Sequence, residues 1–212
     1  MTFADRHSAG EALGRAVARL EPEEPVVLGL PRGGVPVAYE VARELGCPLD
    51  VLVVRKIGVP MQPELAMGSV GEGGVVVRNE DVIQIARVDD ETFERVLESE
   101  KEELESRLRM YRSEAPPIDV EGRTVIVVDD GLATGSTARA ALQVLKERDA
   151  REIWLAVPVA PIDTAEDMES IADRVVTLQT PRRFGAVGAW YRDFSQTSDK
   201  EVRSLLSRSR LR

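Results

Sequence analysis

The sequence predicts an α/β fold, a central parallel sheet flanked by helices, and three observations carry that expectation. Short valine-rich runs alternate with segments of helical periodicity, glycine-bearing turns join runs to helices, and the strongest buried-strand signal, at 124–128, passes straight into such a turn. A chain of 212 residues, 43% of them hydrophobic, can bury one sizeable core, so a single domain spanning 1–212 is expected.

Each element follows from its residues. Ala9, Leu13, Ala16, Val17 and Leu20 fall at helical spacing and predict an amphipathic helix ending before Pro22. The apolar run 26–30 reads as a strand broken by Pro31, and after Gly33 and Gly34 a helix carries Val35, Ala38, Val41, Ala42 and Leu45. Gly46 suits the C-terminal cap of that helix, and 49–54 is a second valine-rich strand, which completes a βαβ unit. The stretch 57–75 holds Gly58, Gly68, Gly71, Gly73 and Gly74 with two prolines and few anchoring apolar groups, so it is expected to be a mobile loop. From 90 to 112 a charged helix places Phe93, Leu97, Leu104, Leu108 and Tyr111 on one face and the pairs Glu103/Arg107 and Glu105/Arg109 at favourable spacing. Pro116 and Pro117 end it, and the strand 124–128 follows. A helix using Ala138, Ala141, Leu142 and Leu145, a strand at 153–157, a helix at 165–172 and a strand at 175–178 complete the alternation.

Composition narrows the function classes. No apolar run approaches the roughly 20 residues that cross a bilayer, and the first residues lack the basic-then-apolar pattern of a signal peptide, so a cytoplasmic protein without membrane partners is expected. A net charge of −9 repels polyphosphate backbones and argues against nucleic-acid binding. Cys47 and His7, each alone in its residue type, form neither a disulfide nor a zinc site. A nucleotide-hydrolase loop with its Gly-Lys-Ser or Gly-Lys-Thr is absent, and the glycines near position 33 miss the dinucleotide spacing.

In an open parallel sheet, ligands bind beyond the carboxyl ends of the strands. Three loops there carry unusual residues. The first is Leu30-Pro31-Arg32-Gly33-Gly34, whose glycines free backbone N–H groups for an anion while Arg32 adds a planar cationic fork. The second, Arg55-Lys56-Ile57-Gly58, brings a point charge. The third runs Asp129-Asp130-Gly131-Leu132-Ala133-Thr134-Gly135-Ser136-Thr137 into a helix. Its hydroxyls and helix N-terminus suit a phosphate, whereas its two carboxylates suit vicinal hydroxyls or a hard cation. A ribose carrying a 5′-phosphate and a pyrophosphate satisfies every part of this arrangement.

The run Val125-Ile126-Val127-Val128-Asp129-Asp130-Gly131-Leu132-Ala133-Thr134-Gly135-Ser136-Thr137 resembles the phosphoribosyl pyrophosphate signature of the type I phosphoribosyltransferases. Pro31-Arg32-Gly33-Gly34 resembles that family's pyrophosphate loop, the inserted 57–115 region its flexible loop with an added helix, and the C-terminal segment 181–212 its base-covering hood. Phe3-Ala4-Asp5-Arg6, Arg55-Lys56-Ile57-Gly58 and 193–199 are similar to a bacterial group of stand-alone members with no settled substrate.

The resemblance implies transfer of a phosphoribosyl group to a nucleobase-like acceptor with release of magnesium-bound pyrophosphate, in a protein that forms a homodimer. It implies that 131–137 hold the 5′-phosphate, that Asp129 and Asp130 hold the ribose hydroxyls and, indirectly, Mg2+, and that Arg32, Gly33, Gly34 and Lys56 hold the pyrophosphate. Trp190, Tyr191 and Phe194 would face the base, although packing of the hood is an equal use for them. Alanine at 133 departs from the hypoxanthine and guanine enzymes, which place an aspartate there as candidate base, and leaves Glu64 or Glu72 as carboxylates that loop closure would bring in. A non-catalytic sensor of phosphoribosyl pyrophosphate or a nucleotide, built on the same fold, is the alternative.

Overall fold

The structure is a computed structural model that describes residues 2–112 and 115–211. The expected boundaries 57–115 and 181–212 include Ser113, Glu114 and Arg212, which lie outside the described residues. In chain order the elements are α1 (Arg6–Ala18), β1 (Pro25–Gly29), α2 (Gly34–Leu45), β2 (Leu49–Val51), β3 (Val54–Val59), β4 (Gln62–Gly71), β5 (Val76–Arg78), α3 (Glu80–Ala86), α4 (Asp90–Arg112), β6 (Thr124–Val128), α5 (Ser136–Lys146), β7 (Glu152–Val159), α6 (Ile162–Glu169), β8 (Arg174–Gln179) and α7 (Asp199–Arg210).

Five strands form the parallel sheet in the order β2-β1-β6-β7-β8. Its inner strands are apolar on both faces because both faces are covered. Val27, Ile126 and Trp154 join a core with α1, α2, α4 and α7, whereas Val26, Val125, Val127 and Leu155 join a second core with α5 and α6. From β1 the chain moves outward to β2, and from β6 it moves the other way through β7 to β8. The order therefore reverses between β1 and β6, and the loops leaving those two strands flank the crevice where ligands bind in such sheets.

The 57–75 segment differs from the loop expected of it. Strands β3, β4 and β5 form a separate antiparallel sheet, in which Lys56 pairs with Ser69 and Ser69 with Val77. Alternation along these strands gives the small sheet two faces. One bears Arg55, which binds Glu100 of α4 at 2.7 Å; the other, through Gly71, approaches Val144 of α5. Its inner end is tied by a buried network in which Arg112 donates to Asp50 at 3.0 Å and to Glu72.

Candidate active site

The crevice between β1 and β6 is closed tightly against its own backbone. A Cβ at Gly33 would overlap Asp130 Oδ2, and one at Gly34 would lie 2.8 Å from the Asp129 Cα. Only glycine lets the loop after β1 rest against the two aspartates that end β6. The Pro31–Arg32 peptide there is cis. Burial raises the carboxyl of Asp129 well above its ordinary value, and the adjacent Asp130 charge adds to the rise. Burial also raises Asp130, against the opposing pull of Arg6.

Arg6, at the start of α1, supplies that pull. Its Nε donates to Asp130 Oδ2 at 2.8 Å, and its terminal nitrogen donates to the Ser195 carbonyl at 2.7 Å. The guanidinium carbon stands 3.9 Å from the centre of the Phe194 ring. Tyr191 is buried, donates its hydroxyl to the Asp130 carbonyl at 2.5 Å and packs on Phe3 and Phe194. Burial, then the neighbouring Asp130 charge, keep this phenol protonated far beyond the usual range. Backbone bonds from Phe3 to the Trp190 carbonyl and from Arg192 to the Phe3 carbonyl lace the N-terminal segment to the C-terminal one. Together they roof the acidic pair.

Beside the pair, the loop turns into α5. Gly135 caps that helix in the left-handed region, at φ 70°, with no side-chain hydrogen bond to the cap. Free N–H groups and the helix dipole make this end attractive to an anion, and Thr134, Ser136 and Thr137 bring hydroxyls to it. A cleft of about 560 Å3 opens between this helix end and the small antiparallel sheet, and Lys56, Ser69, Thr134, Ser136 and Arg139 are on its walls.

The family model described as a phosphoribosyl transferase domain matches residues 8–192. The chain belongs to the phosphoribosyltransferase family. It is 49% identical over 98% of its length to a Mycobacterium tuberculosis protein provisionally named a phosphoribosyl transferase, of which the match covers 47%. The chain thus spans about half the length of the curated relatives it matches first. A solved Thermus thermophilus protein is 45% identical, with a TM-score of 0.88 over 97% of this chain and 98% of that one. A Neisseria gonorrhoeae protein solved with ppGpp bound shares the fold alone, at 15% identity and a TM-score of 0.51 over 98% of each chain.

In this member of the family the residues singled out from sequence do not all meet in one place. Asp129, Asp130, Gly33 and Gly34 meet at the switch point, and 131–137 lead from there toward β7 and α6, where Gly131 approaches Val159 and Gly135 approaches Thr164 and Met168. Leu132 is buried and hydrogen-bonded from its N–H to the Val159 carbonyl at 2.9 Å, so it anchors the loop, whereas Ala133 is exposed. Arg32 lies 3.8 Å from Asp199 at the start of α7, and Asp199 also accepts from the Tyr111 hydroxyl at 2.9 Å. Lys56 shares its cleft with Thr134 and Ser136, and Arg32 is not on that cleft's walls. Trp190 is half-buried with its indole N–H shielded and without a partner among the described residues, Tyr191 is committed to the roof, and Phe194 has one face under Arg6. Glu64 is 99% exposed and 3.8 Å from Lys56, whereas Glu72 is held by Arg112 and faces Arg148 at 3.8 Å. Glu72 is therefore engaged in structure rather than held ready for closure. Sequence reasoning assigns no role to Arg6, Ser69 or Arg139.

Two carboxylates in one loop are a hard-oxygen donor set, and among the described residues no cluster of three or more acidic, histidine or cysteine groups could hold a metal. With Asp130 already paired to Arg6, the two carboxylates are of a type that could hold a magnesium ion only in part, alongside other oxygen ligands. No helix among the described residues is long and apolar enough to cross a membrane.

Proposed function

We propose that this chain transfers the phosphoribosyl group of phosphoribosyl pyrophosphate to a nucleobase-like acceptor and releases pyrophosphate. One observation carries the reading: a single loop at the switch point sets two half-buried carboxylates beside an anion cradle at a helix N-terminus, directly against Gly33 and Gly34. The cradle takes the 5′-phosphate, while Asp129 and Asp130 accept from the ribose hydroxyls. Arg32 and the backbone of Gly33 and Gly34 face the pyrophosphate.

The acceptor nitrogen attacks C1′ as the C1′–O bond to pyrophosphate breaks and the electron pair departs on the pyrophosphate oxygen. The acceptor's N–H proton then passes to the departing pyrophosphate. Positive charge builds on the ribose ring during the displacement, and the Asp129–Asp130 pair stabilises it. Bound magnesium would offset charge on the departing pyrophosphate. The roof of Arg6, Tyr191 and Phe194 excludes water that would otherwise hydrolyse the ribosyl group. We infer a homodimer on family grounds.

The test is a pyrophosphate-release screen with phosphoribosyl pyrophosphate, magnesium and a panel of purines and pyrimidines. Release that depends on one base supports the transferase and names its acceptor. Substrate binding without release for any base favours the sensor.

A further inference from the structure

The small antiparallel sheet presents one unusual polar side chain toward the phosphate loop. Ser69 is 4% exposed, its hydroxyl is buried, and that hydroxyl has no hydrogen-bond partner among the described residues. A buried hydroxyl left unpaired is costly, so a native one needs a reason. Strand register sets Ser69 directly across from Lys56 on one side and Val77 on the other, so these three project from the same face. That face looks onto the first turn of α5, across the cleft shared with Thr134 and Ser136.

Arg139 adds an independent oddity. It lies in the first turn of α5, where its N–H bonds the Gly135 carbonyl at 2.8 Å, and that turn holds no acidic residue. A cation at a helix N-terminus opposes the helix dipole. Its nearest counter-charge, Asp167, is 3.9 Å away and 70% exposed. Lys56 brings a second cation to the same cleft, 3.8 Å from the fully exposed Glu64; the other charges on its walls are Asp81, Glu80 and Arg78, which is bonded to Glu80 at 2.8 Å and to Asp90 at 3.0 Å. With Arg78 and Glu80 paired to each other, Lys56, Arg139, the buried Ser69 hydroxyl and the helix N-terminus remain around one cleft, and a dianion between them would partner all four.

We propose that Ser69 and Arg139, with Lys56, form a side wall of the 5′-phosphate site and bind the phosphate oxygens that the 134–137 loop leaves free. The inference rests on the phosphoribosyl reading above and deepens it. It moves Lys56 from the pyrophosphate to the phosphate end, and makes the inserted sheet part of the binding site instead of a cover for it.

Isothermal titration of the full chain with ribose 5-phosphate and, separately, with magnesium pyrophosphate tests the assignment in wild type, Ser69→Ala and Arg139→Gln. Each variant should weaken ribose 5-phosphate about tenfold, the scale of one hydrogen bond to a charged group, and change pyrophosphate affinity by less than about twofold. Because its hydroxyl is unpaired without ligand, Ser69→Ala should also melt at or above the wild-type temperature, which separates lost binding from lost folding. Ribose 5-phosphate affinity within about twofold of wild type in both variants, or equal weakening of both ligands, would overturn the side wall. If the wild type binds neither ligand, the phosphoribosyl reading itself fails, and the side wall with it.

Discussion

Arg6 Nε donates to Asp130 Oδ2 at 2.8 Å across 124 residues of sequence, and the two side chains are only 11% and 14% exposed. The carboxylate proposed to hold a ribose hydroxyl is thus already half-satisfied by the first turn of the chain's first helix. Nothing local to the aspartates announces this partner. It arises because the 3–6 segment and the 190–195 segment bond to each other above the crevice.

Removing that partner leaves a largely buried carboxylate alone. Arg6→Met should cost about 3 kcal/mol of stability, read from the urea midpoint. Arg6→Lys should recover only part of it, because lysine lacks the planar fork that bonds Ser195 and lies on Phe194 at once. A Met variant as stable as the wild type would show that the pair does no structural work.

The pH dependence follows from Asp129. Burial and the Asp130 charge put its folded-state pKa above the unfolded value, so the folded protein holds the proton more tightly than the unfolded chain. Its contribution to stability is fully present below the unfolded value, near 4, and is lost as pH rises through the folded value. Asp129→Asn should therefore flatten the fall in melting temperature as pH rises from about 4 through the folded value, and raise the ligand-free melting temperature above it. A lower melting temperature for the Asn variant above that value would contradict the burial cost.

Gly33 and Gly185 offer a paired test. A Cβ at Gly33 would overlap Asp130, whereas one at Gly185 meets nothing within 4 Å. Gly33→Ala should cost roughly 1–3 kcal/mol in a denaturant melt and weaken phosphoribosyl pyrophosphate, while Gly185→Ala does neither. Equal effects would show that the close approach after β1 is not required.

Cys47 should be inert. Burial pushes its thiol up to about 11, which suppresses the thiolate at neutral pH. Even allowing for the higher nucleophilicity of a basic thiolate, an aromatic disulfide reagent should label the native protein at least about tenfold more slowly than the urea-unfolded chain. Equal rates would remove the claim.

The parts of this molecule legible in its sequence are those whose signal is local. β6 coincides with the apolar run 124–128 because every one of its residues is buried, and the loop after it is readable because two acids followed by a hydroxyl-rich helix start have few other uses. The 57–75 segment reads wrongly as a loop because glycine serves more than flexibility. A Cβ at Gly58 would strike the Pro63 carbonyl at 2.6 Å, and one at Gly71 would strike the Val144 side chain, so these glycines permit packing. Arg139 does carry a readable signal, a cation in a helix's first turn with no acid beside it. Ser69 carries none, since strand register and an unpaired hydroxyl exist only once the sheet is built.

Everything proposed for this chain depends on the Asp129–Asp130 loop binding phosphoribosyl pyrophosphate. Calorimetric titration of that compound with magnesium into the wild type and into the Asp129→Asn/Asp130→Asn double variant asks the question without an intermediate step. The wild type should bind and the folded double variant should not; no binding by the wild type, or equal binding by both, would refute the assignment of the loop.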